Sequence, residues 1–165
     1  MPTSPESRLQ RELRQNKPFA TLQTEAVLNI VRTADQLRRQ LHLRLKPFGL
    51  TETQYNSLRI LRGAGEQGLT CAEVGERLIR HDPDITRLLD RMERQGLVRR
   101  ERSLKDRRVV LTRITAQGLE KLQTVDPIAE SSVKDAVGHL SQEELRSLIH
   151  LMERTREGIP PDTDG

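Results

Sequence analysis

Aromatic side chains are nearly missing from this sequence, which has no tryptophan, one tyrosine and two phenylalanines in 165 residues. Single-stranded nucleic acid is held largely by bases stacked on aromatic rings, so a binder of single strands or RNA loops is poorly provided for. A duplex binder needs charge and a groove-sized element instead, and neither calls for aromatics. Cysteine is reduced to Cys71, which excludes an intrachain disulfide and is compatible with a reducing cytosol. No apolar run exceeds three residues, which excludes a membrane-spanning helix and predicts no membrane partner. The first fifteen residues carry Glu6, Arg8, Arg11, Glu12 and Arg14 and lack the apolar core of a signal peptide. The expectation is a soluble, cytoplasmic protein.

Catalytic signatures are missing as well. No Ser/His/Asp pattern, HExxH, phosphate loop or nucleotide fingerprint occurs, so the expectation is no enzyme and no cofactor. His42, His81, His139 and His150 show no tight ligand spacing, and only one cysteine could join them, so no metal is expected. Cys71 falls in the first turn of a predicted helix and reads as a small packing residue rather than a redox sensor. Hydrophobic residues make up 34% and charged residues 32%. An average globular domain carries about 25% charged residues. Such a chain builds a thin core for its length, as an elongated protomer does, or one that completes its core against a partner.

What the sequence does have is positive charge concentrated in one place. Residues 77–113 contain Arg77, Arg80, Arg87, Arg91, Arg94, Arg99, Arg100, Arg102, Lys105, Arg107, Arg108 and Arg113. Against them stand Asp82, Asp84, Asp90, Glu93, Glu101 and Asp106, which leaves this window at +6 when the whole chain is +4. A basic segment beside an acidic remainder is the footprint of a duplex-DNA binder, although a solvated helix face would give the same count.

The periodicity is mostly helical. Residues 1–17 read as a flexible basic arm and residues 158–165 as a disordered tail. Between Phe19 and Lys46, Leu22, Ala26, Ile30, Ala34, Leu37, Leu41 and Leu45 recur at steps of three or four, one helical stripe that Pro47 stops. Three capping boxes announce further helices: Thr51 with Gln54, Thr70 with Glu73, and Ser141 with Glu144. Each has its hydrophobic staple, Leu50 with Tyr55, Leu69 with Val74, and Leu140 with Leu145. Another helix is expected from an Asp82 cap and Pro83 at the first position, with Ile85, Leu88, Leu89 and Met92 inward and Gly96 as its end. The connection before it, 79–81, has the length of a helix-turn-helix turn. Residues 97–102 and 109–114 read as two short strands joined by a charged tip, a β-wing. A helix over about 115–138, kinked at Pro127, and a last one over about 142–156 complete the order α, α, α, α, β, β, α, α.

The stretch Leu69-Thr-Cys-Ala-Glu-Val-Gly-Glu-Arg-Leu, followed by Ile85-Thr-Arg-Leu-Leu-Asp-Arg-Met-Glu-Arg-Gln-Gly-Leu-Val-Arg-Arg, resembles the MarR family of winged-helix regulators. The segment 106–118, Asp-Arg-Arg-Val-Val-Leu-Thr-Arg-Ile-Thr-Ala-Gln-Gly, resembles that family's Asp-x-Arg wing and the turn after it. The fold expected is mainly α with a small β-hairpin wing, a winged helix-turn-helix core flanked by long N- and C-terminal dimerisation helices. The DNA-binding domain is expected over 50–115 and the dimerisation region over 18–49 and 116–157.

With the apolar face of the recognition helix inward, Asp84, Thr86, Arg87 and Arg91 are its outward candidates for DNA. Arg87 suits bidentate guanine contact, and Thr86 a thymine methyl or a phosphate. Asp84 reads as an acceptor for cytosine N4, as the partner of an arginine, or as a carboxylate favoured by the helix dipole. The resemblance implies that Lys105, Arg107 and Arg108 reach the minor groove or its phosphates, with Asp106 pairing to Arg108 to shape the loop. It also implies a homodimer, and the stripes carrying Leu22, Ala26, Ile30, Leu145, Leu148, Ile149 and Met152 independently ask for partners. The function expected is a sequence-specific double-stranded DNA-binding transcriptional regulator, a repressor. It would act on a near-palindromic operator and be released by a small aromatic or anionic effector. The competing readings are a winged-helix protein-interaction module and a non-specific architectural DNA binder.

Overall fold

A computed structural model describes residues 7–80, 82 and 84–160. The chain divides into two compact units, Met1–Glu52 and Thr53–Gly165. In the first, α1 (Arg8–Glu12) starts where the Ser7 hydroxyl accepts the Gln10 N–H, and it buries Leu9. The basic arm expected over 1–17 therefore contains a helical turn with a buried anchor; residues 1–6 and the tail from 161 lie outside the described residues. Helix α2 (Leu22–Leu45) has the bounds of its apolar stripe and starts three residues after Phe19, because Thr21 caps it by accepting the Thr24 N–H at 3.1 Å. Its 24 residues span about 36 Å. A 3-10 turn over Lys46–Phe48 contains Pro47 and ends at Gly49 in the left-handed region, φ 68°.

The second unit carries most of the buried apolar residues. Helix α3 (Glu52–Ala64) buries Tyr55, Leu58 and Leu61 on one stripe. Helix α4 (Cys71–Arg77) has the full Thr70–Glu73 capping box, and both members of its staple, Leu69 and Val74, are buried. The Glu73 carboxyl accepts the Thr70 N–H at 2.8 Å, which holds it below its ordinary pKa. Helix α5 (Ile85–Arg94) buries Leu88, Leu89 and Met92, as its pattern requires. It ends in a Schellman motif, with the Gly96 N–H on the Glu93 carbonyl and the Leu97 N–H on the Met92 carbonyl, and Gly96 at φ 72°.

Strands β1 (Val98–Arg102) and β2 (Val110–Ile114) pair antiparallel, Val98 opposite Ile114 and Arg102 opposite Val110. A single bridge adds Leu69 to this hairpin, through two backbone hydrogen bonds with Thr112 at 3.0 and 2.7 Å. Helix α6 (Ala116–Val137) follows at once, its cap Thr115 accepting the Gly118 N–H while donating to the Gly96 carbonyl at 2.6 Å. Gly118 is obligatory there, since a Cβ would lie 2.3 Å from the Leu97 carbonyl oxygen. Pro127 lies inside α6, where it cannot donate to the carbonyl four residues back. Helix α7 (Gln142–Glu157) has the complete Ser141–Glu144 capping box.

The entry to α5 differs from its sequence pattern. The cap is Asp84, whose carboxylate accepts the Arg87 N–H at 3.3 Å, and not Asp82, whose Oδ1 accepts the Asp84 N–H at 3.0 Å. The α4–α5 connection accordingly runs over 78–84 and is longer than the three residues its sequence suggests; Pro83 and His81 lie outside the described residues.

Helix α3 is tied to α6 by a polar clamp. The Tyr55 hydroxyl donates to Asp126 Oδ1 at 2.8 Å, and the Arg62 guanidinium pairs with Asp126 Oδ2. Burial opposes ionisation of Asp126, but the hydrogen bonds from Arg62 and Tyr55 and the charges of Arg62 and Arg59 outweigh it and hold the carboxyl below its ordinary value. Burial, followed by the bond to Asp126, pushes the Tyr55 phenol up to about 12. A folded value above the ordinary 10 means that this contribution is fully present below pH 10 and is lost as pH rises through about 12. Tyr55 is the chain's single tyrosine, so tyrosinate absorbance reports it alone. Its midpoint is expected near 12 in the folded protein and near 10 in denaturant. Asp126→Asn should shift the folded midpoint down, and a folded midpoint of 10 in the parent would show that the clamp is not formed.

Candidate nucleic-acid interface

The surface built by α4, α5 and the hairpin collects the basic window, and ion pairing sorts its cations into two groups. The first is spent inside the unit. Arg100 on β1 pairs with Asp90 of α5, and its backbone N–H donates to Glu93 Oε1 at 2.9 Å. Arg113 on β2 pairs with Glu101 at 3.1 Å and donates to the backbone carbonyls of Glu66 and Gln67. Arg99 pairs with Glu101 at 3.1 Å. These contacts hold the hairpin against α5 and against the turn after α3. Counting charges in the sequence missed this division. Its only trace there is that Asp90 and Glu93 fall off the apolar stripe of α5, where nothing else requires an acid.

The second group faces solvent. On α5, Thr86, Arg87 and Arg91 are exposed, Arg87 with 82% of its side chain accessible. Asp84 serves three purposes in that first turn. It caps the helix, sits at the positive end of the dipole, and holds the Arg87 guanidinium at 3.1 Å. Its structural role is therefore met within the helix. The Thr86 hydroxyl lies 3.5 Å from Cys71 Sγ, which sets the start of α4 against the first turn of α5. On the hairpin, Lys105, Asp106, Arg107 and Arg108 are all exposed at the turn between the strands. None of these three cations has an ion-pair partner among the described residues. Asp106 holds Arg108 differently from the expected side-chain pair, because its Oδ1 accepts the Arg108 backbone N–H at 2.9 Å. The guanidinium is left free, and the loop is shaped by an Asx-type turn.

The candidate dimerisation residues lie on α2 of the first unit and α7 of the second. On α2, Leu22 is 79% exposed, Ala26 is exposed and Ile30 half-buried; the only buried residue of that helix is Leu45. Helix α7 has no buried residue at all: Leu148 and Ile149 are exposed, and Leu145 and Met152 are half-buried.

Comparison with known proteins places this arrangement. The profile of the MarR family matches residues 50–110. The uncharacterised HTH-type transcriptional regulator YkoM of Bacillus subtilis is 32% identical over 109 residues, which cover 66% of this chain and 70% of that protein. The crystal structure of a MarR transcription factor from Planctomyces limnophilus is 38% identical, with TM-score 0.64 over 82% of this chain and 98% of that one. Sco3205, a MarR family transcriptional regulator from Streptomyces coelicolor solved in complex with DNA, is 25% identical with TM-score 0.76, covering 90% and 96%.

The ion-pair sorting has a direct test. Asp90→Ala frees Arg100 while leaving the apolar stripe of α5 intact. Because both partners are partly solvated, it should cost less than about 1 kcal/mol of global stability. Amide exchange should nevertheless rise selectively in Val98–Arg102, with α7 unaffected. Unchanged protection across the hairpin would mean that the pair does not anchor it.

Proposed function

The chain belongs to the MarR family of transcriptional regulators, and we propose that it binds double-stranded DNA as a homodimer, one protomer on each half of a near-palindromic operator. The observation that carries this is the presence of two solvent-facing cation sets on one unit, of which only Arg87 has an ion-pair partner among the described residues, Asp84. Arg87 and Arg91 lie on a helix of groove-fitting diameter, and Lys105, Arg107 and Arg108 on a hairpin fixed to that helix. In the proposed complex α5 lies in the major groove, with Arg87 and Thr86 at base edges, and the wing reaches the neighbouring minor groove and its phosphates. Asp84 positions Arg87 and accepts from cytosine only if the pair opens. Arg91 and the wing cations supply the phosphate attraction.

Residues 50–115 form the DNA-binding part of this proposal, and 18–49 with 116–157 the dimerisation part. Support for the dimer comes from the apolar side chains that α2 and α7 leave in water, including Leu22, Val27, Val31, Leu148, Ile149 and Leu151. Burying each such side chain is worth about 1.5–3 kcal/mol, which makes a second copy the natural cover. A dimer seated across a promoter excludes the transcription machinery, which is repression. A small aromatic or anionic effector would release it by binding a helix arrangement other than the DNA-bound one more tightly.

Sedimentation at micromolar concentration should give twice the chain mass, and Leu148→Glu together with Ile149→Glu should give a folded monomer; a monomeric parent would remove the two-half-site reading. Gel shifts on selected duplexes should separate the two cation sets. Arg87→Ala relaxes base preference in each half-site. Arg107→Ala weakens all duplexes alike and lowers the salt slope by about one. Uniform loss in both variants would contradict this division of labour.

A further inference from the structure

Among the described residues the most exposed large apolar side chain is Leu104, at 103% of full accessibility. It stands at the tip of the hairpin, and that tip is not a loose loop. The Ser103 N–H donates to the Val109 carbonyl at 2.8 Å and extends the ladder by one step. The Ser103 hydroxyl accepts the Lys105 N–H at 3.2 Å, Asp106 Oδ1 accepts the Arg108 N–H at 2.9 Å, and the Asp106 carbonyl accepts the Val109 N–H at 3.0 Å. An ordered turn thus presents a bare leucine to solvent. Lys105, Arg107 and Arg108 follow it, and no ion pair among the described residues engages them.

Exposed apolar residues on α2 and α7 have neighbours of the same kind and form faces; Leu104 is isolated among cations. That combination fits one occupant. Cations bring the tip to a polyanion, and an apolar side chain beside them gains only where the polyanion offers an apolar surface. A base step opened from the minor groove is such a surface, and leucine is among the wedges known to enter one. We propose that Leu104 is a wedge that enters the minor groove at the wing and partly unstacks one base step. The proposal rests on the placement of the wing given above and adds a specificity-determining residue to it. Because pyrimidine–purine steps unstack most readily, the wedge selects TA or CA/TG at a position where no side chain reads a base edge.

The test uses the full chain and duplexes that it selects from a randomised pool, with 2-aminopurine substituted in turn along the wing-side segment. Wild-type binding should raise 2-aminopurine fluorescence at one step, and the selected sequences should favour a pyrimidine–purine step there. Leu104→Ala, which changes no buried contact and should melt as the parent does, should abolish the fluorescence rise and flatten that preference. It should also weaken binding on the order of tenfold, with base preference under α5 kept. Fluorescence that stays quenched at every position with wild type, or that rises equally with Leu104→Ala, overturns the wedge and leaves half-site recognition standing. A wild-type chain that selects no sequence overturns both readings.

Discussion

A helix and a hairpin can act as one reading unit only if the spacing between them is fixed, and here two carboxylates on α5 fix it. Asp90 takes the Arg100 guanidinium and Glu93 takes the Arg100 backbone N–H, so one residue of β1 is held at both its side chain and its main chain. The other end of the hairpin is fixed by close packing. Thr115 bonds back to the Gly96 carbonyl, and Gly118 allows α6 to approach the Leu97 carbonyl more closely than any side chain would. Acids within a basic segment look like compensation when only charge is counted. In the fold they remove Arg99, Arg100 and Arg113 from the free set, which leaves Arg91 on α5 and Lys105, Arg107 and Arg108 at the wing tip among the cations without an ion pair in the described residues.

That sorting decides what the surface can do. A cation already bonded to a neighbouring carboxylate gains little by meeting a phosphate, whereas in the proposed complex Arg91, Lys105, Arg107 and Arg108 would each displace a counterion from the duplex. Arg87 stands between the two cases, held by Asp84 yet largely in water. Such a pair is weak on a surface and orients the guanidinium without immobilising it. On the same unit, the Tyr55–Asp126–Arg62 clamp joins α3 to α6, and through α6 the chain continues into α7 with its uncovered apolar face. In the proposed dimer, that face would be covered by a second copy.

Much of this was legible in the sequence because it depends on local chemistry. The Thr70–Glu73 and Ser141–Glu144 boxes, the Gly96 stop and the paired strands each follow from a few adjacent residues, and the structure has them where the pattern put them. The start of α5 was misplaced because Asp82 and Asp84 are equally competent caps. In the fold Asp84 takes the Arg87 N–H, and Asp82 instead takes the Asp84 N–H. The turn over Arg8–Glu12 is short and has one apolar anchor, Leu9, too little for a periodic signal. The Leu69–Thr112 bridge and the close approach at Gly118 join residues that no local pattern connects. At the candidate site the outward residues of α5 and the wing could be named in advance. The partners of Arg100 and the backbone bond made by Asp106 could not, since both depend on tertiary geometry.

In the proposed complex, α5 and the wing of one protomer engage adjacent major and minor grooves as a single rigid reader. Dimethyl sulfate interference on a selected duplex tests it most directly, because methylation strikes guanine N7 in the major groove and adenine N3 in the minor groove. Interference at guanine N7 within each half-site, flanked on the same face by interference at adenine N3, is the expected pattern. Binding that tolerates methylation in both grooves would contradict it, leaving only contacts to the phosphates.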